Sequence, residues 1–118
     1  MDNYSEDLNL RFGALSDPTR RQIMTRLCAG PASVGELHEP FSIALPNLLK
    51  HIHVLEGSGL IQTHKHGRTR ICALNPDALS ATENWLAEQR QLLEGRFDRM
   101  EAYIETLKTN PDKENDSE

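Results

Sequence analysis

The sequence predicts a mainly α-helical domain that carries one small β-hairpin and ends in a long helix. Apolar residues recur at helical spacing in four segments before residue 58, and two short strand-like segments joined at a glycine follow at 60–74. No proline then interrupts residues 77–109. At 118 residues the chain suits a single domain. We expect residues 1–109 to form this domain, and residues 110–118, which are acidic and lack apolar anchors, to be a flexible tail.

The first two predicted helices are separated by Asp17-Pro18. Aspartate suits the N-cap position, and the fixed φ of proline suits the first turn of a helix. The helix before this pair covers residues 8–15, with its apolar side chains on one face: Leu8, Phe12 and Leu15. The helix after it ends at Gly30-Pro31 and buries a second set: Ile23, Met24 and Leu27.

A third helix is predicted from Ser33 to about Pro40. Ser33 and Glu36 have the spacing of a capping box, in which each side chain accepts a hydrogen bond from the backbone N–H of the other residue. The apolar side chains that follow predict its buried face: Val34, Leu37 and Phe41.

The fourth helix, residues 46–57, begins near Pro46 and ends at Gly57-Ser58-Gly59, where a glycine can adopt the left-handed cap conformation. Steps of three and four residues predict its core side: Leu45, Leu48, Ile52 and Leu55. Lys50 falls almost opposite that side, with Asn47, His53 and Val54 beside it. His51 falls on the border between the two faces.

Strands are predicted at 60–65 and 68–74, joined at His66-Gly67, where glycine can supply the positive φ of a tight turn. The charge of this region differs from that of the chain. The whole chain carries a formal net charge of −5, whereas residues 42–75 contain four basic and one acidic side chains and four histidines. Because affinity for phosphates depends on where cations lie, the acidic total does not exclude a nucleic-acid partner.

Residues 76–109 predict one long helix with a heptad repeat of apolar residues. A helix of roughly 30 residues would extend about 45 Å, far beyond the body of so small a domain. Part of its apolar face therefore needs another partner, and we expect a second copy of the chain. The predicted interface combines the heptad positions with the apolar residues that widen the stripe: Leu79, Trp85, Leu86, Leu93, Phe97, Met100, Ile104 and Leu107.

Several protein classes lack support in the sequence. No nucleophile or phosphate-cradling motif indicates an enzyme, and no cofactor is expected. Cys28 and Cys72 lie in apolar surroundings without a metal-binding spacing, so we expect reduced, partly buried thiols. The five histidines do not converge in any predicted arrangement, so we expect no metal site. Without a signal peptide or a membrane-spanning run, we expect a cytoplasmic protein with no membrane partner.

A short glycine-terminated helix followed by a basic hairpin is typical of a winged helix-turn-helix. In order and spacing, residues 8–107 resemble the ArsR/SmtB family of bacterial winged-helix repressors, in the branch with a long terminal helix and no metal-site signature. The segments that carry the resemblance are Ala14-Leu15-Ser16-Asp17-Pro18-Thr19-Arg20-Arg21-Gln22-Ile23, Ser33-Val34-Gly35-Glu36-Leu37, Lys50-His51-Ile52-His53-Val54-Leu55-Glu56, Gly59-Leu60-Ile61 and Gly67-Arg68-Thr69-Arg70. The resemblance implies a homodimeric repressor on a near-palindromic operator of double-stranded DNA. It also implies release by an effector, such as a small-molecule inducer, or by a partner.

The predicted DNA contacts come from helix 46–57 and from the wing, residues 60–74. In the helix they are Asn47, Leu49, Lys50, His51 and His53; in the wing they are Lys65, Arg68 and Arg70. Arg70 shares a strand face with Cys72 and has a competing interpretation as the partner of an internal carboxylate.

Two positions depart from the pattern of the resembling family. Ala44 stands where a small hydroxylated cap is usual, and Leu49 stands where a serine is usual. Leu49 cannot donate to a phosphate but could contact a thymine methyl group. It also supports an alternative function, a winged-helix adaptor for protein contacts with weak DNA binding. A repressor that responds to a metal or to thiol oxidation is a third interpretation.

Overall fold

A computed structural model describes residues 2–109, with side chains from Glu6 to Lys108. The predicted tail, residues 110–118, lies outside this range. Within it the chain forms five helices and three strands, in the order α1 Asp2–Ala14, α2 Pro18–Leu27, β1 Ala32–Ser33, α3 Val34–His38, α4 Leu45–Gly57, β2 Ile61–His66, β3 Thr69–Leu74 and α5 Pro76–Thr109. This is the predicted mainly helical fold with a hairpin wing and a long terminal helix. The bounds of α5 agree with the predicted helix, whereas α1 begins six residues before the predicted start at residue 8.

The three strands form one antiparallel sheet in the order β1-β3-β2. The hairpin pairs Ile61 with Leu74 at its base and His66 with Thr69 at its tip. Gly67 has φ of 67° at the turn, as the predicted left-handed conformation requires. The two-residue strand β1 was not predicted; it pairs Ala32 with Cys72 and joins the α2–α3 connection to the wing.

Side-chain caps fix the ends of two helices. The Oδ2 atom of Asp17 accepts from the backbone N–H of Arg20 at 3.1 Å, with Pro18 in the first turn. Ser33 and Glu36 form both hydrogen bonds of the predicted capping box, at 2.8 and 3.1 Å. α4, in contrast, has no side-chain hydrogen bond at its N-cap residue, Ala44.

The core lies between the first four helices and the sheet. Its most completely buried large side chains come from α2, α3, α4, the α4–β2 turn and the sheet: Ile23, Leu37, Leu48, Leu55, Leu60, Ile61 and Cys72. The predicted buried sides of α2 and α3 are confirmed, with Val34 and Phe41 partly buried against the core. Every buried residue in the described range lies at or before Thr82.

Two predictions about burial, those for Leu45 and Cys28, were wrong. Leu45 is 43% exposed, because it is the first residue of α4 and helical side chains lean towards the N-terminus, past the edge of the core. Of the three apolar residues predicted on one face of the first helix, Leu8 and Leu15 are partly buried and Phe12 is exposed. Cys28 was expected to be partly buried but is exposed, because it follows the last residue of α2 as its C-cap.

The chain divides into two compact units, one up to Thr82 and one from Glu83 onward. The first unit contains the sheet, the four shorter helices and the first residues of α5. The second contains the rest of α5.

Candidate nucleic-acid interface

α4 has a buried side and an outer side, as its spacing predicts. Leu48, Ile52 and Leu55 are between 0% and 3% exposed and fix the orientation of the helix on the core. Asn47, Lys50 and His53 are exposed. The predicted division of polar and apolar positions on α4 is therefore confirmed for these six residues.

Two leucines also lie on the exposed surface of α4. Leu49 is 42% exposed, which rules out a core position and leaves the side chain accessible beside Lys50. Leu45, one helical turn earlier, is similarly exposed. Because residues four apart lie on the same face of a helix, Leu45, Leu49 and His53 form one row along α4.

His51 occupies the border of α4 and is only partly exposed. Its Nδ1 atom lies 3.1 Å from Nη1 of Arg20 and 3.8 Å from Oδ2 of Asp17. The hydrogen bond from the backbone N–H of Arg20 lowers the pKa of the Asp17 carboxyl group. The polar cluster therefore joins α4 to the start of α2.

The wing exposes Lys65 and Arg68 at its tip. Arg70 is also exposed, but its Nη1 atom donates to Oγ1 of Thr63 at 2.9 Å. The Thr63 hydroxyl in turn donates to Oε2 of Glu56, near the end of α4, at 2.8 Å. Thr63 thus links Arg70 to a carboxylate and connects the wing with α4.

The distal part of α5 exposes a continuous row of large apolar side chains. We call the predicted interface set the α5 stripe: Leu79, Trp85, Leu86, Leu93, Phe97, Met100, Ile104 and Leu107. Six of these eight, from Leu86 to Leu107, are between 39% and 56% exposed. Trp85 is partly exposed, and Leu79 is partly buried against the core.

Residues 15–64, which include α2, α3 and α4, match a protein family described as a helix-turn-helix domain. The chain is 34% identical over 79 residues to the transcriptional repressor SdpR of Bacillus subtilis, a match that covers 67% of this chain and 88% of that protein. A solved structure of an ArsR family transcriptional regulator is similar with a TM-score of 0.72 and 56% identity, covering 76% of this chain and 93% of that one. The chain belongs to the ArsR family of transcriptional regulators. It is a DNA-binding regulator and not an enzyme.

The similarity extends over nearly the whole described chain for a second family member. The ArsR-like transcriptional regulator from Rhodococcus sp. RHA1 is similar with a TM-score of 0.66 and 27% identity, covering 91% of this chain and 96% of that chain. The fold predicted from the sequence, a winged helix-turn-helix with a long C-terminal helix, is thus shared with solved ArsR-family structures.

The two cysteines of this ArsR-family chain differ in environment. Burial raises the pKa of the Cys72 thiol, and the nearby Glu56 carboxylate raises it further. A buried thiol with a raised pKa is poorly nucleophilic. Cys28 is exposed.

The described part of the chain holds neither a cluster of metal ligands nor a membrane-spanning helix. Among the described side chains, Glu6 to Lys108, no group of three histidine, cysteine, aspartate or glutamate residues is placed to hold a metal ion. No helix in that range is both long and apolar enough to cross a membrane.

Arg20 and Thr63 are two polar residues of this surface that the sequence did not predict as functional. Arg20 contacts His51 across 31 positions of sequence, and Thr63 contacts Glu56 across seven. The Asp17-Pro18-Thr19-Arg20 segment was recognised as a helix start and as part of the family resemblance. Nothing in the spacing of these residues indicated their partners on α4.

Proposed function

We propose that this regulator is a homodimeric repressor that binds a near-palindromic operator with α4 as recognition helix and the β2–β3 hairpin as wing. The observation that carries the proposal is the outer surface of α4: a helix fixed on the core by three buried side chains presents Asn47, Lys50 and His53 to solvent. It does so in residues 42–75, the segment with an excess of basic side chains. The similarity to a B. subtilis repressor supports repression as the outcome.

The proposed contacts follow from the donors and acceptors on each side chain. Asn47 can pair with adenine in the major groove, and Lys50 can contact guanine or a phosphate. Leu49 can pack against a thymine methyl group. His51 and His53 would add contacts along the same helix.

The wing would contribute contacts to phosphates or the minor groove through Lys65 and Arg68, with Arg70 beside them. The hydrogen bond from Arg70 to Thr63 leaves the remaining guanidinium N–H groups of Arg70 as possible donors. It also holds the side chain against the sheet. We therefore rank Arg70 below Lys65 and Arg68 as a DNA contact.

A homodimer fits both the α5 stripe and the symmetry of an operator. A two-fold operator is matched by a two-fold protein, which places one recognition helix on each half-site. The exposed part of the α5 stripe supplies the self-complementary apolar surface that such a dimer needs.

Substitution of single cations tests the DNA surface. Lys50→Ala and Arg68→Ala should each weaken binding to the DNA upstream of the protein's own gene, because each removes a cation near the duplex. Loss of one phosphate contact should reduce the slope of log affinity against log salt by about 0.9. Both side chains are exposed, so the melting temperature should stay near that of the unmodified protein.

Lys108→Ala is the matched control, since it removes the same charge from an exposed position on α5. Fluorescence anisotropy over a salt titration would give the affinities. If Lys50→Ala and Arg68→Ala bind like the Lys108→Ala control, the proposed DNA surface is wrong.

The alternative is a dimeric winged-helix adaptor with weak DNA binding. The exposure of Leu45 and Leu49 favours it, because apolar side chains on a helix surface also suit a protein partner. A gel shift on the upstream DNA separates the two functions. A repressor gives a sequence-specific, salt-dependent shift, whereas an adaptor gives only weak binding that competitor DNA removes.

A further inference from the structure

The side chain of Arg20 joins three segments of the first unit. Its Nε atom donates to the carbonyl oxygen of Ala14 at 2.7 Å, and Nη2 donates to that of Gly13 at 3.3 Å. The remaining terminal nitrogen, Nη1, lies 3.1 Å from Nδ1 of His51. One guanidinium on α2 therefore contacts both the C-terminal end of α1 and the recognition helix.

The contact with His51 determines which nitrogen of the imidazole carries a proton. A guanidinium has only N–H donors, so Nδ1 of His51 must be the acceptor. A neutral imidazole that accepts at Nδ1 carries its hydrogen on Nε2. Asp17 does not compete for this nitrogen, because its Oδ2 atom is 3.8 Å away, beyond hydrogen-bond distance, and already accepts from the backbone of Arg20.

The Nε2 atom of His51 reaches solvent. Its side chain is 24% exposed, and the hydrogen bonds and ion pairs of His51 all involve Nδ1. From Glu6 to Lys108, no buried side-chain nitrogen or oxygen lacks a hydrogen-bond partner, so Nε2 is not buried. The contact with Arg20 therefore leaves the Nε2–H group of His51 as a hydrogen-bond donor at the border of the outer surface of α4.

We propose that Arg20 is a positioning residue of the DNA interface: it anchors α4 to the α1–α2 turn and holds His51 as a neutral Nε2–H donor to an operator phosphate. The inference rests on the proposed function, since it requires α4 to lie on DNA. It gives Arg20 an indirect role, through His51.

Arg20→Lys tests this role while keeping the charge. A lysine has a single ammonium group and cannot maintain the planar, three-acceptor arrangement. We expect operator affinity to fall about tenfold, as for the loss of a charge-assisted hydrogen bond. The salt slope should stay unchanged, because a neutral His51 donor releases no counterion. Arg21→Lys is the matched control, since Arg21 is the adjacent, exposed arginine and its side chain makes one hydrogen bond, to the carbonyl oxygen of Leu15.

Nitrogen-15 NMR of the histidine side chains measures the tautomer of the His51 ring. A purely structural role of Arg20 would leave that tautomer unchanged. In the unmodified protein we expect the His51 ring, assigned by its disappearance in His51→Asn, to be the Nε2–H tautomer. In Arg20→Lys we expect a mixture of the two tautomers. A protonated Nδ1 in the unmodified protein would overturn the proposal.

His51→Asn keeps the inference testable if Arg20→Lys does not fold. An asparagine oxygen can replace Nδ1 as the acceptor for Arg20, but the outward Nε2–H donor is lost. We expect a near-native melting temperature with about tenfold weaker operator binding. If both variants bind like the unmodified protein while Lys50→Ala binds weakly, α4 still contacts DNA and the role of Arg20 is wrong. If Lys50→Ala also binds normally, the proposed function itself has failed.

Discussion

Two helices of this protein expose large apolar side chains, but in different amounts and settings. On α4 the exposed leucines, Leu45 and Leu49, stand beside Lys50 and other polar residues, and the opposite side of the helix is fixed in the core. On α5 the exposed apolar residues continue from Leu86 to Leu107 without a buried residue between them.

The difference indicates two kinds of partner. A continuous apolar stripe of this length exceeds what a monomer normally leaves in water, and a protein surface is the partner that would cover it. Two exposed leucines beside a lysine suit the major groove, where thymine methyl groups are apolar and the surrounding phosphates are anionic.

The largest expected effect is the loss of the proposed dimer when a charge is placed in the α5 stripe. Leu93→Glu and Met100→Glu should each give a monomer, because each would bury two copies of a carboxylate in an apolar interface. Operator affinity should then fall by about 100-fold or more, since the two half-sites would no longer be bound together. Light scattering and fluorescence anisotropy measure the two effects.

Gln91→Glu is the control for this test, because it adds the same charge at an exposed position of α5 away from the α5 stripe. It should remain dimeric. An unmodified protein that is monomeric at micromolar concentration would contradict the dimer, as would glutamate variants that remain dimers.

The second effect concerns Leu49 on the α4 surface. Leu49→Ser should weaken operator binding about fivefold, the value of roughly one buried methyl contact. The melting temperature should change little, because the side chain is already exposed. The unmodified protein should bind an operator in which deoxyuridine replaces thymidine more weakly, and to the same degree, since that operator lacks the thymine methyl group.

The comparison between the two operators identifies the contact. The Leu49→Ser variant should bind the thymidine operator and the deoxyuridine operator with equal affinity, because it has no leucine to contact the methyl group. A loss that is the same on every operator would show that Leu49 affects the protein rather than a base. A large fall in melting temperature would contradict its exposed position.

The helices were predictable because their signals are local. Apolar steps placed Leu48, Ile52 and Leu55 on the buried side of α4, and capping residues fixed the starts of α2 and α3. The heptad repeat and the absence of proline gave the bounds of α5. Each of these features depends on residues within a few positions of one another.

The features that were missed depend on distant residues or on the edges of elements. Strand β1 has only two residues, too few for an alternation, and it exists because Ala32 pairs with Cys72 forty positions later. The contact between Arg20 and His51 likewise follows from the packing of α2 against α4. Leu45 continued the apolar spacing of α4 yet lies beyond the core, because spacing predicts a face but not where the core ends.

The smallest expected effect concerns the N-terminus of α4. Ala44 has extended backbone angles, φ −65° and ψ 145°, that suit an N-cap. Its methyl group, however, cannot accept a hydrogen bond from the N–H groups of the first turn. Ala44→Ser should therefore stabilise the protein by about 1 kcal/mol. The matched variant Ser33→Ala removes the capping box of α3 and should destabilise the protein by a similar amount.

Thermal unfolding of both variants, together with operator binding, relates the cap to the DNA surface. Ala44→Ser should raise the melting temperature by a few degrees while changing operator affinity little, because it tightens a helix whose orientation the buried leucines already fix. A rise in affinity as large as the tenfold loss expected for Arg20→Lys would contradict this. It would show that the first turn of α4 is loose in the free protein and becomes ordered on DNA, so that Leu45 and Leu49 are exposed by fraying of the helix rather than by its fixed orientation.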